Sequence, residues 1–179
     1  MFAYLNNFFE KGSVQYLLSD EKSLRKIGFL GYLIGIFSLF VSLRLAQAAA
    51  GSFFSFFFFF SIIIMINYGE SAITGLFLDM LGHRGSPSSL FYMFGFGQFI
   101  WLAAIPSFFI SKVSGFPFYI FAYILFLTVF FLRLKFIKEI YNVRYKMALI
   151  SFTAPYIITY MLSIFAVLYS FYWIAALID

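Results

Sequence analysis

The chain has no cysteine, one histidine and four prolines in 179 residues, and only 11% of its residues are charged. The first absence excludes disulfides, thiolate nucleophiles and cysteine-ligated metals. The single histidine, His83, leaves no second imidazole with which to build a zinc site. Scarcity of charge excludes more. A soluble domain carries about 25% charged residues, whereas here 64% are hydrophobic and 25% aromatic. That balance implies an all-α, polytopic helical membrane protein. The net charge of +5 does not point to nucleic acid, because the basic residues sit in short segments beside apolar runs, where membrane topology places them. No phosphate loop, catalytic triad or paired-carboxylate motif is present, so neither an enzyme nor a cofactor is expected.

Five apolar segments are long enough to cross about 30 Å of hydrocarbon at about 1.5 Å per residue. They cover 27–46, 52–81, 89–111, 116–132 and 147–178, and together form one domain over 27–179. The second and fifth are long enough to require tilt, extension beyond the bilayer or a break. Pro155 is expected to break the fifth and Pro106 to kink the third, since proline removes a helix hydrogen bond and clashes with the preceding turn. The run "GSFFSFFFFFSIII" reads as a packing surface for lipid or neighbouring helices. The opening residues lack a signal-peptide pattern, so the first span is expected to serve as the insertion signal. Residues 1–26 mix aromatics and leucines with charges. They read either as an amphipathic segment lying at the interface, with Lys22, Arg25 and Lys26 toward the headgroups, or as a solvated leader docked on the bundle.

With five spans, the leader, the second-to-third loop and the fourth-to-fifth loop share one side. Ten of the twelve Lys and Arg residues fall there, including Arg84, Arg133, Lys135, Lys138, Arg144 and Lys146, against Arg44 and Lys112 on the other side. By the positive-inside rule this places the N-terminus in the cytoplasm and the C-terminus outside. Of these cations, Arg133, Lys135, Lys138, Arg144 and Lys146, with Lys22, Arg25 and Lys26, are candidates for contact with anionic lipid or a partner.

Polar residues inside apolar runs are the next signal. Asn67, Glu70, Ser71 and Thr74 recur at helical spacings and share one face of the second span, which must look into the bundle. Glu70 requires a cationic or hydrogen-bonding partner, or a proton. It serves either a proton-coupled or ligand-binding step, or a structural bond to another helix. Gly69, Ala72 and Gly75 would allow close approach there.

At the end of that span stands "LDMLGHRGSPSSLF". Asp79 and His83 are four apart and meet if the helix continues. Gly82 and Gly85 let the chain leave one helix, while Ser86, Pro87, Ser88 and Ser89 start the next. Together with "GFGQFIWLAAIP" and "LKFIKEIYNVRYKMALISFTAPYII", this turn resembles the bacterial branch of the Yip1 domain family over about 27–166. The resemblance carries over Gly82, Arg84, Gly85 and Ser86 in the turn, Gly95 and Gly97 in the third helix, and Tyr141 with Lys146 near the last loop. It implies five spans, a cytoplasmic N-terminus and an exoplasmic C-terminus in a bacterial plasma membrane, and a role in membrane organisation or trafficking-like scaffolding. The acidic-Leu-Tyr-Gly-Pro motif of the eukaryotic members is absent, so a Rab GTPase partner is not implied.

Two functions follow. One is a non-enzymatic scaffold that recruits lipid, a protein partner or a second copy at the cytoplasmic leaflet. The other is a transport or lipid-translocating subunit whose polar face, centred on Glu70, lines a groove.

Overall fold

A computed structural model describes residues 20–48 and 52–178. The described chain is a helical membrane protein. Its helices are α1 (Glu21–Leu45), α2 (Phe53–Met80), α3 (Pro87–Gly97), a 3₁₀ segment (Gln98–Ala103), α4 (Ala104–Ser114), α5 (Phe118–Tyr141) and α6 (Tyr145–Ile178). With α3, the 3₁₀ segment and α4 forming one rod, five helices are long and apolar enough to cross a membrane.

The first three helices start at capping side chains. Asp20, Ser52 and Ser86 cap α1, α2 and α3 by accepting the backbone N–H three residues on. Pro87 follows at the first helical position, where its missing N–H is harmless. At the end of α2, Gly82 adopts φ +83, and the N–H groups of Gly82 and His83 return to the carbonyls of Asp79 and Leu78. This double bond pattern stops the helix. It also corrects the expectation for Asp79 and His83: the helix ends between them, so they do not share a face.

Three boundaries differ from the apolar runs. The fourth span continues nine residues past 132, to Tyr141, where Asn142 turns left-handed at φ 51. Lys135 and Lys138 therefore stand on helix α5, and only 142–144 form the loop. The third span is irregular at Gln98–Ala103, before Pro106 rather than at it; this proline cannot bond back to Leu102, and the preceding turn tightens. The fifth span does not break, because α6 passes through Pro155. Proline at 155 frees the carbonyl of Ser151, and the Thr74 hydroxyl of α2 donates to that oxygen at 3.4 Å. A neighbouring helix thus satisfies the bond the proline cannot make.

The third span is the hub. It packs against α1, α2 and α5, and α1 runs parallel to it at backbone contact. A methyl group added at Gly28, Gly31 or Gly35 would collide with the carbonyl of Tyr92, Gly95 or Gln98 respectively. Gly95 returns the contact against Gly28 and the ring of Tyr32. Tyr32 is fully buried and donates its hydroxyl to the Phe91 carbonyl at 2.8 Å. Small residues let backbones approach where lipid supplies no hydrophobic drive between helices. The close approach expected at Gly69 is not there: nothing lies within 4 Å of its added methyl. The aromatic run of α2 turns Phe53, Phe54, Phe57 and Phe58 outward, while Phe56 and Phe59 pack on Phe40 of α1.

One end of the bundle carries the turn 81–86 together with the start of α1 and the α5–α6 loop. Lys22, Arg25 and Lys26 lie exposed on the first turns of α1, Arg25 paired with Glu21; the leader up to residue 19 lies outside the described residues. Arg84, Arg144 and Lys146 are exposed at the same end. Lys138 lies over the Tyr145 ring at 4.1 Å, and Lys135 lies 3.9 Å from Glu139. At the opposite end stand Arg44 and Lys112.

Candidate intramembrane polar site

Asn67, Glu70, Ser71 and Thr74 are all buried, on the side of α2 that faces the bundle. Ser71 donates to the Tyr68 carbonyl within its own helix and Thr74 reaches α6, as described above. Asn67 donates to the Ile63 carbonyl at 2.6 Å. Glu70 accepts from Nη1 of Arg133 on α5 at 2.6 Å, while Nη2 of the same guanidinium donates to Oδ1 of Asn67. The side chains are 3% exposed for Glu70 and 13% for Arg133. Both charges are therefore withdrawn from their surroundings, and each depends on the other. The ring of Phe94, from α3, covers the guanidinium at 4.9 Å.

Arg133 is the main correction to the sequence reading. Placed among loop cations that touch anionic lipid, it lies instead inside α5, eight residues or about 12 Å before the helix ends. Glu70 and Arg133 each stand about 5 Å past the midpoint of their helix, toward the end with the turn 81–86. Two elements that hardly touch along their backbones are bridged by this one side chain. The signal for it was legible in principle. No glycine or proline interrupts 118–141, and Val129, Arg133, Phe136 and Ile137 repeat at four, three and one, the period of one helical face.

Among the described residues, Oε1 of Glu70 and Nε of Arg133 are buried without a hydrogen-bond partner. Tyr156 of α6 lines a cleft together with Glu70. Beside the cluster the helices leave clefts that open at the surface of the bundle. A cavity of about 840 Å³ reaches Arg133, Asn67, Gln98 and Tyr156 at its polar part, and Trp101, Phe126 and Phe130 along its apolar wall. A second cavity of about 460 Å³ lies on the other side of the α2–α6 contact and reaches Glu70. Ile66 and Tyr156 border both. Gln98 and Tyr156 are members that sequence reasoning missed. Gln98, 3% exposed, sits in the irregular turn of the third span.

The turn residues gather elsewhere. The Tyr141 ring lies against the backbone of Gly85, and its hydroxyl end meets Gly75 beside Pro87. Gly85 and Tyr141 are thus brought together, while Arg84 and Lys146 stay exposed and Gly97 touches Phe136. Asp79 is exposed and His83 half-buried. Among the described residues no group of three or more His, Asp or Glu gathers as a metal site. No family model, curated protein or solved structure matches this chain.

Proposed function

We propose that the chain is a non-enzymatic membrane protein that takes up a lipid-like amphiphile between its helices, as a transport or lipid-translocating subunit. The observation that carries this reading is a buried Asn67–Glu70–Arg133 cluster opening on a large apolar cavity near mid-membrane. Intramembrane ion pairs are costly and mark pathways or binding sites, and a cavity of about 300–1,000 Å³ with few polar groups is the usual form of a ligand site. Reconstitution in liposomes tests it. Wild type should exchange fluorescent phospholipid or diacylglycerol between leaflets faster than empty vesicles, with Glu70→Gln slower by about tenfold. Rates equal to those of empty vesicles would overturn the reading.

A second reading, membrane organisation of the Yip1-like kind, is favoured by the exposed cations collected at one end of the bundle. Neutralising Lys22, Arg25, Lys26, Arg144 and Lys146 should remove co-purifying anionic lipid or partner protein; unchanged association would sink it. In both readings that end faces the cytoplasm of a bacterial cell, following the bias of Lys and Arg. Because the chain has no cysteine, single Ser88→Cys and Val113→Cys variants report this directly. An impermeant maleimide applied to intact spheroplasts should label the second and spare the first, and the reverse pattern would invert the topology.

A further inference from the structure

The larger cavity is ordered along the membrane normal. In α2 the polar Asn67 lies one turn nearer the cationic end than Ile63; in the third span Gln98 precedes Trp101; in α5 Arg133 lies two turns nearer that end than Phe126. Three spans therefore set their polar groups at one level and their apolar groups toward the opposite end, over about 10 Å. A molecule that fits has a head at the Arg133 level and a chain running away from the cationic end.

Charge then selects the head. Arg133 is already matched by Glu70 at 2.6 Å, so the cluster carries no net charge. An anionic head would approach a guanidinium whose charge is compensated and would meet the carboxylate beside it. A cationic head would meet the converse. Either would also be stripped of water about 5 Å from mid-membrane. An uncharged head loses little there and can exchange hydrogen bonds with the Gln98 amide and the Tyr156 hydroxyl, both at the cavity.

We infer that this cavity binds a long-chain amphiphile with a small uncharged hydroxyl head, of the fatty-alcohol or acylglycerol class, head at the Asn67–Gln98–Arg133 level and chain toward Trp101 and Phe126. The inference rests on the groove reading above and adds the class of ligand. It also says what Glu70 is for: the carboxylate cancels the arginine and thereby rejects anionic lipid.

Photo-crosslinking of the full chain in nanodiscs tests this, with diazirine analogues of hexadecanol, monopalmitoylglycerol and palmitate, at alkaline pH where the last is ionised. The two neutral probes should label segments 126–133 and 152–157 about tenfold more than palmitate does. Glu70→Gln leaves the arginine uncompensated, and palmitate labelling should rise to match or pass that of the alcohol. The Glu70→Gln/Arg133→Gln double variant is again uncharged and should restore the neutral preference, which separates charge from misfolding. Palmitate labelling wild type as well as hexadecanol, or an unchanged preference in folded Glu70→Gln, would overturn the head-group inference while leaving the groove reading intact. No labelling of either segment by any probe would overturn both.

Discussion

Where α1 meets α3, glycine carbonyls lie against glycine backbones; where α2 faces α5, a guanidinium spans the gap and a cavity fills the rest. The two contacts join helices by opposite means. In the first, three glycines of α1 and one of α3 let the backbones meet beside the buried Tyr32 ring, so dispersion acts over the whole contact. In the second, the long side chain that closes the ion pair also holds the helices apart. Atoms lining the cleft lack protein neighbours on that side, and the ion pair returns little net stability after its desolvation. One side of the bundle is thus built to hold and the other to leave room. That contrast favours a binding role for the second contact over that of simple glue.

The contrast breaks or sharpens at specific residues. The largest expected effect is at the bridge. Arg133→Leu alone leaves Glu70 buried without its cation and should destabilise by about 3–5 kcal/mol, whereas Glu70→Leu/Arg133→Leu should recover most of that loss while groove activity stays absent. Unfolding by SDS titration measures both; a neutral single variant would show that the carboxylate does not depend on the arginine. At the tight seam, Gly31→Ala should cost about 2 kcal/mol through overpacking. Gly69→Ala, where the methyl meets nothing, should change stability by about 0.5 kcal/mol or less. Equal effects at the two glycines would erase the distinction between packed and open sides. The smallest effect concerns the proline in α6. Thr74→Val should cost about 1 kcal/mol by orphaning the Ser151 carbonyl, and that cost should shrink when Pro155→Ala restores the N–H that normally bonds it. Additive effects in this double-mutant cycle would mean that Thr74 does not serve the proline.

Much of the frame was legible in the order of residues. Five apolar runs separated by capping serines, glycines and prolines correspond to the five long helices, and the spacing of Asn67, Glu70, Ser71 and Thr74 corresponds to one buried face of α2. The partner of Glu70 was not legible in the same way. Counting charges groups Arg133 with the loop cations that follow it, because hydropathy falls there, yet the helix period runs on unbroken to Tyr141. Hydropathy measures the cost of leaving water residue by residue, and it cannot register that a cation 63 positions away cancels a carboxylate. The same limit applies to Pro155. Local sterics predict a break, but whether the freed carbonyl finds a donor depends on which helix lies beside it.

By itself, then, the amino-acid order determined the class, the number of long helices and the inward face of α2, because these follow from period, length and the expense of polar groups in lipid. It also determined the local stops, since caps and the left-handed glycine at 82 act within a few residues. Only the tertiary structure decided that α1 and α3 touch at their backbones, that Arg133 reaches across to Glu70 and Asn67, and that a cavity remains beside them. Those features are sums over residues far apart in the chain, set by which helices become neighbours, and no local property of any one segment carries that information.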